Sequence, residues 1–197
     1  MPRKYDLGKR RSAVEETVGR IVDATLHLHS TKGPAFTSVR DIAQEADVSL
    51  ITVYRHFTNL QGLFRACGAR YFEVYTFPSF DDLKEMESLE ERVATLLDRL
   101  YLYYDAHGDK LWPVYRDSEL ILELKELFLE WDNEFAALAR SALSAPSLHD
   151  PGSKKALATL LVLMSVTSWR NLVRIQGLPS EEAAALASKL VTCSLRS

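Results

Sequence analysis

The sequence predicts an all-α protein, with a small amino-terminal helical domain over residues 1–77 and a larger helical domain over 78–197. Three observations carry that reading. Apolar residues recur at helical spacing along nearly the whole chain. Strand signals are nearly absent, with no sustained period-2 alternation and no Asn-Gly or Asp-Gly hairpin. Charge and aromatic residues divide unevenly near residue 70: residues 1–70 carry 11 basic and 7 acidic side chains, a net +4, and residues 71–197 carry 13 and 20, a net −7. Only five of the nineteen aromatic residues precede residue 71, so the second part holds more material for a large core or an apolar pocket.

The elements follow in order. Val14, Val18, Ile21, Thr25 and Leu28 step by 4, 3, 4 and 3 and make one apolar stripe of a helix over about 12–30. Gly33 and Pro34 stop it, since glycine takes a positive φ and proline cannot continue a helix. Thr37 is the expected N-cap of a short second helix over about 38–45. Asp47 occupies a tight turn, and Ser49 caps a third helix reaching about His56. Thr58 and Asn59 offer the next cap, for a fourth helix over about 60–75. Beyond it, helices are expected over about 88–107, with Gly108 ending the first, then 111–116 near Pro113, 118–143, 154–175 and 181–195. The stretch 144–153 reads as a turn-rich loop.

Composition excludes several classes. Eight glycines and seven prolines are too few for a repetitive or disordered chain. Cys67 and Cys193 are isolated, without metal-ligand or disulfide-framework spacing, and suit a cytoplasmic protein. No metal or cofactor is expected. The amino terminus is charged and lacks the apolar stretch of a secretory signal. The most apolar run, 156–166, is shorter than the ~20 residues of a membrane span and reads as a buried core helix, so no membrane partner is expected. Arg3, Lys4, Lys9, Arg10 and Arg11 form a basic arm that suits either a solvated terminus or a phosphate and minor-groove contact.

Residues 37–57 read TSVRDIAQEADVSLITVYRHF, two short helices joined by a tight turn: a helix-turn-helix. Val39, Ile42, Ala43 and Ala46 can face a core from the first helix, and Val48, Val53 and Phe57 close it from the turn and the second. Ala43 is small where the helices approach. The turn calls for a positive φ, which Asp47 tolerates better than most residues with a Cβ.

With the capped stretch that follows, TSVRDIAQEADVSLITVYRHFTNLQGLF over 37–64 resembles the DNA-binding domain of the TetR (tetracycline repressor) family of bacterial regulators. The resemblance spans about residues 10–65; beyond residue 75 only the layout of long helices matches. Departures fall at Asp47, where the family usually has Gly, at Leu50-Ile51, where it often has Lys-Gly, and at Leu60, where it usually has a phosphate-binding Lys.

The resemblance implies roles. Thr37 and Ser38 stand at a helix N-terminus suited to phosphate. Tyr54 and His56 match positions that contact the DNA backbone, with Arg40 and Arg55 as further phosphate partners. Ser49, Leu50, Ile51 and Thr52 open the recognition helix, where base edges are read. Leu50 and Ile51 donate no hydrogen bonds, so thymine-methyl and shape readout is expected, with Thr52 as the main polar reader.

The resemblance further implies a homodimer formed by the last two long helices, a double-stranded DNA operator, and a small-molecule effector bound in the carboxy-terminal domain. Candidate pocket liners are Tyr101, Tyr104, Trp112, Tyr115, Phe128, Trp131, Phe135 and Trp169, residue types that serve a core as readily as a pocket. Arg116 and Asn133 are polar positions amid apolar ones and suit orienting a ligand, expected to be apolar or aromatic. Repression relieved by that ligand is the expected mode, acting through the spacing of two recognition helices one DNA turn apart, roughly 34–36 Å.

Two other classes fit the residues less well. Against an enzyme, the chain lacks nucleophile-elbow, zincin, P-loop and dinucleotide-binding motifs, and its five histidines are scattered. A helical interaction scaffold that no longer reads DNA is made possible by Leu50, Ile51 and Leu60, and it predicts no sequence-specific binding and no steep salt dependence.

Overall fold

The structure is a computed structural model that describes residues 7–143 and 151–195, with side chains from Arg11 onward at the amino end. Arg3 and Lys4, the side chains of Lys9 and Arg10, and loop residues 144–150 lie outside the described residues. Among the described residues every regular element is helical. The chain resolves into two compact units. One takes the sequence through Tyr75 together with Pro113–Leu127; the other takes Thr76–Trp112 and the residues from Phe128 on.

The first unit is built on α1 (Leu7–Thr31), α2 (Val39–Glu45), α3 (Leu50–His56) and α4 (Leu60–Val74). The apolar stripe of α1 is buried from Ile21 onward, while its start at Val14 stays exposed. Ile21, Ala24 and Leu28 meet Ile42, Ala43 and Ala46 of the α2 region, Val53 of α3 and Leu63 of α4 in one core. A bond from Arg70 Nε to Asp23 Oδ1 (2.7 Å) joins α4 to α1.

The second unit contains most of α5 (Leu89–Asp117) and of α6 (Leu122–Leu143), then α7 (Pro151–Leu163), α8 (Val166–Trp169), a π-helical stretch over Arg170–Ile175, and α9 (Ser180–Leu195). Val93, Leu96, Leu97, Leu100 and Tyr104 of α5 are buried together, the face their spacing predicts. Arg92 is buried and donates to the carbonyls of Ala142 (2.8 Å) and Met86 (2.6 Å), satisfying acceptors at the C-terminal end of α6 and ahead of α5. Arg99 grips Asp82 with two bonds of 2.6 and 2.7 Å.

Several boundaries differ from expectation, among them α1, which starts at Leu7, and α7, which starts at Pro151 within the expected loop. Gly108 does not end a helix, because α5 runs unbroken to Asp117 through both Gly108 and Pro113. Gly108 is small for a packing reason: a Cβ there would lie 2.5 Å from the Trp169 ring. The helix expected from 118 begins only at Leu122, after a 3-10 turn over Ser118–Leu120. The single helix expected over 154–175 is broken, with Gly152–Leu163 and Val166–Ile175 bent by 65°. Ser165 makes the break: its Oγ accepts from Ser168 N (3.2 Å), capping α8, and donates to Val162 O (2.7 Å). Among the described residues no single helix is long and apolar enough to cross a membrane.

Alanine usually stabilises a helix interior over glycine by about 0.5–1 kcal/mol. At Gly108 the sign reverses, because the added methyl overpacks the Trp169 ring. Gly108→Ala is expected to lose about 1–3 kcal/mol in urea unfolding; a gain in stability refutes the close approach.

Candidate nucleic-acid interface

Local chemistry sets the helix-turn-helix. The expected cap of α2 shifts by one residue: Ser38, not Thr37, is the N-cap. Ser38 Oγ accepts from Asp41 N (3.1 Å) and Ser38 N donates to Asp41 Oδ2 (2.8 Å), a capping box readable as a serine three residues before an acid. The bond from Ser38 N, with a second from the Ser38 hydroxyl to Asp41 Oδ2 (2.8 Å), holds the Asp41 carboxyl below its usual range. Thr37 donates its hydroxyl to Gly33 O (2.8 Å). The phosphate contacts expected of Thr37 and Ser38 therefore compete with bonds inside the protein.

The turn follows the expected geometry. Asp47 has φ 50°, the one non-glycine positive φ among the described residues. Val48 N donates back to Ala43 O (3.0 Å). Arg20 of α1, not anticipated from sequence, reaches the carbonyls of Ala46 (3.2 Å) and Asp47 (3.4 Å) and places a positive charge at the end of α2.

Ser49 caps α3, accepting from Thr52 N (3.1 Å) and sharing a 2.8 Å hydrogen bond with the Thr52 hydroxyl. Thr52 is half-buried. Its hydroxyl thus has a local partner that competes with the base contact expected of it. Leu50 is half-buried, and its side chain packs against the core with Val53 and Phe57. The rotation between successive helix residues sends Leu50 inward and Ile51 outward. Ile51 is 79% exposed and Tyr54 54%, with exposed Arg55 beside Tyr54 in sequence. Those three form the outward face of α3; His56 is half-buried near its end, and Arg40 is exposed on α2.

A second constellation lies where residues 113–127 join this unit. Asp117 is 1% exposed, yet it is ionised and well supplied with donors. Ala35 N donates to its Oδ2 (3.0 Å) and Arg116 Nε to its Oδ1 (2.7 Å), while Arg116 Nη2 also reaches Lys32 O (3.0 Å). Burial alone raises an acid's pKa, but the Arg116 bond, the Ala35 N–H and the nearby charges of Arg116 and His29 outweigh it and hold Asp117 below the usual value. Gly33, at φ 99°, lies so close that a Cβ would strike the Asp117 carboxylate. Buried His29 is pushed down from 6.5 to about 4 by desolvation, against an opposing pull from Asp117. Its Nδ1 lies 3.9 Å from Cys67 Sγ.

The expected pocket liners are dispersed. Tyr101, Tyr104 and Trp169 are core residues; the two tyrosine hydroxyls donate to Leu163 O (3.1 Å) and Met164 O (2.9 Å). Trp112 lies under the Arg170 guanidinium at 4.5 Å. Phe128 pairs with Trp131, and Phe135 with Phe77. Asn133 is exposed and bonds Leu129 O (2.9 Å), so it does not orient anything in an interior. Tyr115 and Arg116 belong to the first unit, where Arg116 bonds Asp117. No cluster of three or more metal-ligating side chains occurs among the described residues.

Comparison with known proteins gives a consistent result. Residues 21–67 match the family model described as bacterial regulatory proteins, tetR family. In Bacillus subtilis (strain 168), the protein named "Probable HTH-type transcriptional regulator YttP" is 29% identical over 119 residues, covering 57% of this chain and 58% of that protein. The uncharacterized HTH-type transcriptional regulator YvkB of the same organism is 45% identical over 47 residues, 24% of this chain and 25% of that protein. The chain thus spans just over half of one relative and a quarter of the other. Among solved structures, the multidrug binding protein EbrR, complexed with imidazole, is 22% identical with a TM-score of 0.60, over 96% of this chain and 93% of that one. The transcriptional regulator FadR from Bacillus subtilis, in complex with stearoyl-CoA, is 18% identical with a TM-score of 0.58, over 88% and 96%. Both likenesses are of fold.

Two outcomes follow from this geometry. Asp47→Val, a β-branched residue in the left-handed region, is expected to lose about 1–2 kcal/mol in chemical unfolding, and Asp47→Gly to lose none. Equal losses in both count against the strained turn. For His29, the unfolded chain binds the proton more readily than the folded one. Its contribution is fully present above pH 6.5 and is lost as pH falls toward about 4, a drop of up to about 3 kcal/mol. His29→Leu should lack that part of the pH dependence between about pH 7 and pH 4.5; an unchanged profile in the variant refutes the assignment.

Proposed function

We propose that the chain, whose residues 21–67 match the model of the tetR family of bacterial regulatory proteins, is a homodimeric, ligand-responsive, DNA-binding transcriptional regulator. The carrying observation is the two-sided α3. Its inward side is locked by Leu50, Val53 and Phe57, and its outward side presents Ile51, Tyr54 and Arg55. A rigid, capped helix with one exposed face is what groove reading requires. Ile51 is an apolar probe for thymine methyls, Tyr54 and Arg55 supply hydrogen bonds and charge to the backbone, and Arg40 adds a phosphate contact.

Dimerisation is supported by the pair α7 and α9. Their inner faces are buried, while Val162, Leu186 and Leu190 remain exposed, the two leucines one turn apart on α9. A two-fold axis beside this face would bury all three twice over. Ligand response draws support from EbrR and FadR, each seen with a bound small molecule. In the second unit the Nε1 of Trp169 is buried and has no hydrogen-bond partner among the described residues. An apolar or aromatic effector bearing one acceptor would satisfy it. We read the protein as a repressor whose effector favours a conformer with the wrong half-site spacing and so releases a palindromic operator.

Selection from a random duplex library by the intact protein tests this. The expected winner is a palindrome bound with Kd near ~10⁻⁸ M or tighter, with log K falling by ~0.9 per log unit of salt for each phosphate neutralised. Ile51→Ala should cost about 1 kcal/mol and relax preference at one A·T position in each half-site. No enriched sequence and a flat salt dependence would return the chain to the scaffold reading.

A further inference from the structure

Between α1, α2, α4 and the segment that includes Leu120 and Ile121 lies a pocket of roughly 260 Å³, formed entirely by residues of the first unit. Its walls are apolar, with Ile42, Leu63, Phe64, Leu120 and Ile121 among them. Its polar groups are few. Thr37 lines it with a hydroxyl that already donates to Gly33 O, leaving acceptor capacity. His29 lines it as well, a 3% exposed imidazole beside Cys67. No Asp, Glu, Lys or Arg is among the lining residues.

These features define an occupant. Apolar walls without a counter-charge exclude ions, whose desolvation nothing there offsets. A cavity of about 150 Å³ lined by apolar side chains takes up benzene, so one of this size suits a fused two-ring molecule. One imidazole and one hydroxyl provide for a single hydrogen-bonding group. We propose that this pocket is a binding site for a small, flat, uncharged bicyclic aromatic compound, in addition to any effector site in the carboxy-terminal unit. The occupant touches residues of α2 and α4 together with Leu120 and Ile121, so it ties the segment at 120–121 more firmly to the helices on either side of α3.

Indole is the probe, titrated into the intact protein with methyl NMR as the readout. Saturable shifts are expected at Ile42, Leu63, Leu120 and Ile121, with a Kd of about 0.1–1 mM for a ligand of this few atoms. Indole-3-carboxylate, the same ring with a charge, should bind about tenfold more weakly or not at all. Leu120→Trp offers its own ring to the pocket from a position that is 72% exposed, so it should fold normally and weaken indole binding about tenfold or more. Ala35→Phe, also at an exposed lining position, provides a second blocked variant. Unsaturable shifts, shifts centred on the second unit, or binding unchanged in both folded variants would each overturn the proposal. None of these readouts depends on DNA binding, so a failure here is distinct from a failure of the regulator reading.

Discussion

A buried carboxylate organises the first unit. Asp117 is withdrawn from water, and an ionised acid is tolerated there only when donors surround it. Its neighbour Arg116 supplies one, and the Ala35 backbone supplies another across 82 residues of sequence. The consequences spread outward. Gly33 has to be glycine both for its φ of 99° and because a side chain would collide with the acid. The 3-10 turn at Pro34–Phe36 is held in place, Thr37 anchors to Gly33 O, and Ser38 is delivered as the cap of α2. The residue that fixes the entrance to the helix-turn-helix thus comes from a segment far along the chain.

Within the helix-turn-helix itself the controls are local. Each of α2, α3 and α4 is capped by a side chain at the residue before it, Ser38, Ser49 and Asn59, each accepting from the amide three residues on. Seven-residue helices such as α2 and α3 are too short to persist alone, so capping and core contact stabilise them together. The cost falls on recognition. Hydroxyls spent on caps, those of Ser38, Ser49 and Thr52, are partly withdrawn from DNA, which leaves Ile51, Tyr54 and Arg55 as the outward surface of α3.

The second unit shows how packing overrides local punctuation. Gly108 and Pro113 are both residues that end helices, yet α5 passes through them. Gly108 is there so that Trp169 can approach the backbone. Conversely, the stretch from 154 to 175 has no proline or glycine and still breaks at Ser165, where a hydroxyl caps a new helix against the burial of Met164, Val166 and Trp169. After that break the π-helical turn sets Arg170 over Trp112 and Arg174 over Trp169.

Much of this was legible in the residues themselves. The stripe on α1, the buried face of α5, the turn at Asp47 with its positive φ and the caps at Ser49 and Asn59 rest on period, sterics and short-range hydrogen bonding, all of which act within a few residues. The Ser38–Asp41 box was equally local. Leu50 and Ile51 were not separable in sequence, since both are apolar; only the direction each takes from α3 sends one into the core and the other to solvent. Nor was the role of Arg116, which has the look of a ligand-orienting charge until its partner proves to be the adjacent Asp117 and the distant Lys32 carbonyl. By itself the sequence determined the all-helical class and the capped helix-turn-helix, because those follow from neighbours along the chain. Tertiary structure alone decided which side chains face outward and that residues 113–127 pack with the first unit, because desolvation and packing act between residues that only folding brings together.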